Sequence, residues 1–305
     1  MALTYDQITA ITEKKFIPKM VDNIFNSNVL LKKLKAKEKL QTGGDKVLCP
    51  LNYAQVSASG WYQGAETLDT TDNEVITSAE FDWKQLYANI SITRRDELRN
   101  SGDAAIINFV KSKVMIAEKT IRDKLSTALY NDGTDSKQIQ GLRLALSTSS
   151  TYGGIDQSTY SWWQANVDSS TTTLTLSAMQ SMYGDCGEGT EYPDLIIGDQ
   201  DMYDRYHALL TPQQRFASED EAKGGFKSLL FNGAPVVVDA SAPSGDMMFL
   251  NMDYIDLMPH KDENFRMEPF TKPINQNVKV AKIFWFGVMG ISNVRRFGLL
   301  DAITA

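Results

Sequence analysis

Chemistry-bearing residues are scarce in this sequence. Cys49 and Cys186 are its only cysteines, and His207 and His260 its only histidines. Two cysteines far apart in sequence exclude a disulfide framework, and reduced cytoplasmic thiols are the default reading. A zinc site takes three or four ligands from cysteine, histidine or carboxylate. These four residues are isolated and could serve only by converging from remote segments. The GxSxG and HExxH motifs are absent, and two unflanked histidines leave little material for a Ser-His-Asp or Cys-His site. No run approaches the roughly 18 apolar residues of a membrane span, and the apolar stretch Ile283–Val288 is strand length. The opening residues MALTYDQITA lack a basic region followed by an apolar one, so no signal peptide is read.

Basic charge is missing from one long stretch. Between Val47 and Trp83 there is no lysine or arginine, while Glu66, Asp69, Asp72, Glu74 and Glu80 are all present. This segment is rich in Thr and Asp and has little apolar periodicity, which predicts an exposed hairpin or loop between two strands. The whole chain carries a formal net charge of -7. A dedicated nucleic-acid binder usually shows a basic balance, so the total argues against one. The length of 305 residues, 42% of them hydrophobic, is enough for one large or two ordinary domains.

What is present reads as alternating helix and strand. Ile8, Ile11, Phe16, Met20, Ile24 and Phe25 keep rough helical spacing, interrupted by Pro18. The stretch LLKKLKAKEKL that follows sets Lys32, Lys33, Lys35, Lys37 and Lys39 against Glu38 alone. It predicts a solvated or partner-facing basic face, with contact to nucleic acid as the sharper alternative. Lys46–Val56 reads as a strand, and Glu80–Leu98 returns as strand. From Gly102 to Tyr130, Ile106, Val110, Val114, Ala117, Ile121, Leu125 and Ala128 line one face of a long helix. Glu118–Arg122 and Lys119–Asp123 are expected i,i+4 pairs on the other face. Beyond Ser170, Leu176 begins a helix, Pro193–Leu210 reads as strand, turn and helix, and Thr211–Phe226 as a charged loop. APVVVDASAP and DMMFLNMDYIDLMP give short buried strands. Val278–Leu300 reads as one long β segment.

Three loops imitate ligand sites and fail on inspection. A calcium loop starting at Asp132 needs Gly at position six and Glu at position twelve, but Lys137 and Arg143 stand there. Counting from Asp199, Asp204 and Leu210 occupy those positions. Asp199 or Asp201 is better read as the cap of the following helix. GDCGEG (184–189) matches neither dinucleotide nor phosphate-loop spacing and reads as a turn. No catalytic, cofactor-binding or metal-ligating set is therefore assigned, and a structural role is favoured over an enzymatic one.

Four stretches taken in order carry a family resemblance: NVLLKKLKAKEKLQTGGDKVLCPL, YNDGTDSKQIQGLRLAL, APVVVDASAPSGDMMFLNMDYIDL and KIFWFGVMGISNVRRFGLL. In this order the chain resembles the major capsid proteins of tailed double-stranded DNA bacteriophages, the Hong Kong 97-like fold. The resemblance implies an α+β chain: an N-terminal arm (1–46), an extended E-loop hairpin (47–80), a peripheral domain (81–169) with spine helix 102–130, an axial domain (170–255) and a return to the peripheral domain (256–305). It places GLRLAL after the spine as a strand leading out of the peripheral domain, without chemistry.

The resemblance further implies self-assembly into hexamers and pentamers of an icosahedral shell. The shell would enclose double-stranded DNA in the virion and be assembled in the host bacterial cytoplasm. A separate scaffolding protein, a portal and a decoration protein are implied partners. No cofactor and no membrane are involved. An acid-only loop makes sense if it meets a basic surface on another copy. Glu66, Asp69, Asp72 and Glu74 are thus expected to face Arg94, Arg95, Arg99, Lys111, Lys113, Lys119, Arg122 or Lys124, with Lys32, Lys33, Lys35, Lys37 and Lys39 as the DNA-facing arm. One family member welds its shell through an E-loop lysine. No lysine lies between Lys46 and Lys84 here, so that crosslink is not expected. The arm begins directly after Met1, so scaffolding is expected from a separate protein. Encapsulins share the fold and enclose enzymes; a tail or adaptor component and a soluble α/β enzyme with an unrecognised site are the remaining alternatives.

Overall fold

The computed structural model describes residue 24 and residues 28–99, 103–210 and 228–304, with side chains for all of them except 97, 99, 103–109 and 228. The helical spacing read from Ile8 onward, apart from Ile24, and the charged loop Thr211–Phe226 lie outside the described residues. Along the chain come helix α1 (Val29–Ala36), strands β1 (Lys46–Asn52), β2 (Ile76–Asp82) and β3 (Lys84–Thr93), and helices α2 (Arg94–Arg99), α3 (Asp103–Ala128) and α4 (Leu142–Ala145). Next are β4 (Thr151–Tyr152), β5 (Ile155–Asp156), β6 (Asn166–Asp168), α5 (Leu176–Asp185), β7 (Leu195–Gly198) and α6 (Gln200–Leu209). The last part holds β8 (Ser228–Phe231), β9 (Ala234–Val238), β10 (Met247–Leu250), β11 (Ile255–Pro259), β12 (Arg266–Met267), β13 (Val278–Ile291) and β14 (Gly298–Leu300).

Strand β13 organises the first half of the fold. One of its edges pairs with β3 from Val278↔Thr93 to Gly287↔Lys84. Its other edge is shared by β12 and then β11, which ends the register at Ile255↔Ile291. The long helix α3 lies on this sheet. Val110, Val114, Ala117, Ile121, Leu125 and Ala128 are buried, the stripe that the i+3 and i+4 spacing gave. Ala88, Ile90 and Ile92 of β3 are buried while Asn89 and Ser91 between them are exposed, the period of two of a one-sided strand. The i,i+4 ion pairs expected on the helix are not among those formed: Arg122 turns to its neighbour Asp123 at 3.1 Å instead.

The second half is a six-stranded sheet in the order β6-β14-β10-β7-β9-β8. β7 and β9 are parallel, as are β14 and β6; the other neighbours are antiparallel. Alternation splits this sheet between two cores. Leu195, Ile197, Val237, Met248, Leu250 and Leu299 face the main core shared with α3 and β13. Ile196, Val236, Met247, Phe249 and Leu300 face a second core closed by Met179, Met182, Met202 and Tyr206 of α5 and α6. A strand buried on both faces has no polar side to show, which is why β7 reads as an unbroken apolar run. Both helices begin where the sequence placed them. Thr175 caps α5 by accepting from Ala178 N, and Asp199 caps α6 by accepting from Met202 N at 2.8 Å.

Four readings are corrected. GLRLAL is not a strand: Leu142–Ala145 is one helical turn, because Leu142, Ala145 and Leu146 bury at i, i+3 and i+4, and Leu146 N donates to Leu142 O at 2.7 Å. Val278–Leu300 is not one strand. A 3-10 turn at Val294–Arg296 breaks it, and β14 then joins the six-stranded sheet beside β10, so the segment from 256 to 305 does not all stay with β13. The first strand stops at Asn52, short of Val56. Glu80–Leu98 divides into the end of β2, then β3, then helix α2, whose first turn is fixed by a reciprocal cap: Asp96 N donates to Thr93 Oγ1, which donates to Asp96 Oδ2.

Candidate interaction surfaces

The acid-only segment is a ribbon that leaves the body. β1 and β2 pair over seven residues, from Lys46↔Asp82 at the root to Asn52↔Ile76. Val47, Leu51, Ala79 and Phe81 bury one face of it. The root is braced by Glu80 N donating to Gly153 O at 2.8 Å and by Lys46 on Glu80 at 2.8 Å. Past Asn52 the two sides continue together: Tyr53 stacks on Trp162 at 5.0 Å and donates to Glu74 O, and Ser57 N donates to Asn73 Oδ1 at 3.1 Å. Beyond Ser59 the chain is exposed through Asp72.

Glu66, Asp69, Asp72 and Glu74 are all exposed on this projection. The hydroxyl and N–H of Thr71 both donate to Asp69 and hold its carboxyl below the usual range, so it stays charged. Sequence reading missed the aromatic content of the same tip. Trp61 is fully exposed, and Tyr62 and Leu68 are 65% and 57% exposed. A tryptophan and a tyrosine side by side in a polar stretch were the available signal. Fully burying such side chains contributes about 2 kcal/mol or more each, and their own body leaves most of that surface uncovered.

The expected basic partners are scattered. Arg94 and Arg95 are exposed in the first turn of α2, and the Arg99 side chain lies outside the described ones. Lys111 is exposed and Lys113 half-buried on α3, and the Arg122 charge is met by Asp123. A second basic set, not singled out as a group from sequence, rims a groove of about 580 Å³ where the end of α3 passes the start of β3: Lys84, Lys124 and Lys137, over Leu86, Leu125 and Ile139.

The arm lysines do not act as one face. In α1, Val29, Leu30, Leu31 and Leu34 are buried, and Lys32, Lys33 and Lys35 lie exposed or half-buried. Lys37 pairs with Asp253 and Lys39 with Asp256, so these two fasten the arm to the chain's own β11 region. The backbone does the same, with Lys39 N and Gln41 N donating to Leu257 O and Pro259 O at 3.0 Å.

The loop after the long helix is spent on structure. Asn131 Nδ2 donates to Ile139 O at 3.0 Å, Asp132 accepts from Thr134 N, and Asp135 accepts from Lys137 N. A Cβ on Gly141 would lie 2.3 Å from Asn131 N, so the returning chain must be glycine there. Just beyond, Arg143 reaches both Asp246 at 3.3 Å and Asp301 at 2.8 Å, linking α4 to the two strands β10 and β14. Burial pushes the Asp246 carboxyl up to about 6, with Arg143 opposing and Asp301 reinforcing the shift. Among the described residues no three His, Cys, Asp or Glu side chains gather as a metal site. Burial raises the Cys186 thiol to about 12, so it is a packed side chain and not a nucleophile. No helix among the described residues is long and apolar enough to cross a membrane.

No protein-family model and no curated protein sequence matches the chain. Solved structures do. A chain of the cyanophage A-1(L) capsid asymmetric unit matches with a TM-score of 0.70 at 16% identity, over 92% of this chain and 94% of that one. This chain has the Hong Kong 97-like capsid fold. A capsid chain of the native GTA particle matches with a TM-score of 0.64 at 12% identity, over 89% of this chain and 90% of that one. The SrpI encapsulin of Synechococcus elongatus matches with a TM-score of 0.60 at 11% identity, over 99% of this chain and 96% of that one. Coverage is near complete in both directions, so the Hong Kong 97-like fold is that of the whole chain and not of an embedded module.

Proposed function

We propose that this chain is a structural shell subunit, the major capsid protein of a tailed bacteriophage, which assembles through hexamers and pentamers into an icosahedral capsid around double-stranded DNA. The observation that carries the reading is the β1–β2 ribbon with its exposed tip, set on a Hong Kong 97-like body. Trp61 is left fully exposed by its own chain, Glu66, Asp69, Asp72 and Glu74 meet no lysine or arginine among the described residues, and a neighbouring copy supplies what they lack. In this reading residues 47–80 are the E-loop, α3 is the spine helix, the sheet built on β13 with α3 is the peripheral domain, and the six-stranded sheet with α5 and α6 is the axial domain. The role is non-enzymatic. A separate scaffolding protein, a portal and a decoration protein are the proposed partners, the virion capsid is the location, and assembly takes place in the host bacterial cytoplasm.

Lys32, Lys33, Lys35, Lys37 and Lys39 remain the proposed DNA-facing arm, and Lys37 and Lys39 also pair with Asp253 and Asp256 of the chain itself. Negative-stain electron microscopy of the purified chain, alone and co-expressed with the products of neighbouring genes, tests the proposal. Closed polyhedral shells or five- and six-membered rings are expected. A 34.0 kDa monomer that never assembles overturns it.

A second reading has a specific observation behind it: the encapsulin match reaches 99% of this chain. Native particles decide between the two, since nuclease-protected DNA supports the virus and protein cargo supports the compartment.

A further inference from the structure

We infer that the groove between the end of α3 and the start of β3 is a binding site for a small amphipathic carboxylate, an organic acid whose apolar body lies on the groove floor and whose charge meets the lysine rim. The inference goes beyond the shell reading and does not rest on it.

Floor and rim ask for different halves of one ligand. Leu86, Leu125, Ala128, Ile139 and Trp285 line the groove, and its volume of about 580 Å³ is that of a small-molecule site. These side chains come from β3, α3, the loop after α3, and β13. Leu125, Ala128, Ile139 and Trp285 are buried. The floor is therefore formed by packed elements before any ligand arrives, which lowers the ordering cost of binding.

The rim keeps positive charge. Lys84, Lys124 and Lys137 all line the groove. Lys84 Nζ donates to the Ser136 carbonyl at 2.8 Å, which uses one of the three donors of an ammonium group. Lys124 and Lys137 are exposed. The two acids in the lining are already engaged: Asp123 by Arg122 at 3.1 Å, and Asp135 by Lys137 N and Gln138 Nε2. Trp285 adds a buried indole N–H that has no acceptor.

These features select the ligand class. Inorganic phosphate would leave the floor uncovered, and a neutral hydrocarbon would leave the ammonium groups unmatched. An organic cation would be repelled. The rim holds lysines and no arginine among the described residues, so it offers separate point charges on flexible stems, not the planar fork that pairs with phosphate at two points. One carboxylate on an aliphatic or aromatic body satisfies both halves.

The probe is ω-bromooctanoate, whose bromine quenches tryptophan fluorescence on contact, titrated below its micelle concentration into the purified full chain. Saturable quenching is expected, with ω-bromooctanol roughly tenfold weaker or worse. Lys124→Glu combined with Lys137→Glu is expected to weaken binding by about tenfold or more while the melting temperature holds. Trp285→Phe is expected to remove most of the quenching while calorimetry still registers binding, which places the acid beside that indole and not beside the other tryptophans. Absent or non-saturable quenching, equal binding of acid and alcohol, unchanged binding by the lysine variant, or quenching that survives Trp285→Phe each overturn the inference. Should a variant fail to fold, the anomalous signal of bromine in crystals of the native complex decides: bromine in the groove supports the site, and bromine elsewhere overturns it. Where the chain assembles, the titration is repeated on the assemblies. Retained binding supports the site, and loss of binding there gives the groove to a second copy and overturns it. Failure of the chain to assemble overturns the shell reading and leaves this inference to the titration of the free chain.

Discussion

The Tyr130 hydroxyl donates to the buried carboxylate of Asp239 at 2.9 Å, across 109 positions of sequence. The bond ties the end of the long helix to the end of β9, so the rod and the six-stranded sheet are fixed to each other at a point. Burial pushes both groups upward from their ordinary values, Asp239 first by desolvation and Tyr130 likewise, with the Asp239 charge adding to the tyrosine shift. Removing the hydroxyl leaves Asp239 with Ser241 N as its remaining donor. Tyr130→Phe is expected to lower unfolding stability by about 1–3 kcal/mol, read as a urea midpoint shift at constant slope. An unchanged midpoint would show that the bond holds nothing together.

Arg143 carries a pH signature. Folding raises the Asp246 carboxyl from 3.8 to about 6. A raised acid contributes stability that is complete below its unfolded value and is lost as pH rises through the folded value. The stability of the native chain relative to Asp246→Asn is therefore expected to fall as pH rises from about 4 to about 6 and to level off above. Parallel melting curves for the two chains across that window would refute it. Arg143→Met removes the charge between two acids and is expected to cost about 3–5 kcal/mol at neutral pH.

Gly141→Ala tests whether the loop after the rod is only structural. The added carbon would meet Asn131 N at 2.3 Å and Asn131 O at 2.6 Å, both backbone atoms that cannot swing aside. A loss of about 3 kcal/mol or more is expected in thermal denaturation. A chain that melts at the native temperature would mean the loop is free to move and that its packing has been misread.

Both thiols are expected to be silent in the native chain. Cys186 is buried and its thiol raised to about 12, and burial also raises Cys49. Titration with a thiol reagent at pH 8 is expected to be slow before unfolding and to count two thiols in urea. Rapid reaction of Cys186 in the folded chain would contradict its burial beneath Gly298.

Mature particles are expected to dissolve in denaturing gels to a single band near 34.0 kDa, since no lysine lies between Lys46 and Lys84 to weld the ribbon to a neighbour. High-mass ladders would show that another pair of residues makes the bond.

Local chemistry was legible wherever one residue's neighbours in sequence are also its neighbours in space. The stripe from Val110 to Ala128 gave the long helix. Asp199 or Asp201 was the expected cap of the later helix at Gln200–Leu209, and Asp199 is the one that caps it. The missing basic charge from Val47 to Trp83 gave an exposed hairpin or loop, of which the structure makes a ribbon. Most of the readings that failed needed distance, and one failed on a choice between near neighbours. Leu142–Ala145 turns helical because Leu142 N finds Leu129 O. Arg122 chooses Asp123 over Glu118, a choice between two short-range partners that spacing cannot rank. Lys37 and Lys39 looked like part of a free basic face until Asp253 and Asp256 arrived from beyond 200 residues away.

Sequence alone determined that this chain has little material for metal or nucleophile chemistry and carries one rod and one acid-only stretch. Those properties reside in composition and in short periods, which no partner can alter, whereas the order of parts of a capsid subunit came from resemblance to a known family. Only the tertiary structure decided that β14 crosses to the six-stranded sheet, that Arg143 bridges Asp246 and Asp301, and that Lys84, Lys124 and Lys137 gather around one groove. These depend on which distant strands share an edge, and strand pairing is fixed by the burial of whole faces at once, not by any single segment.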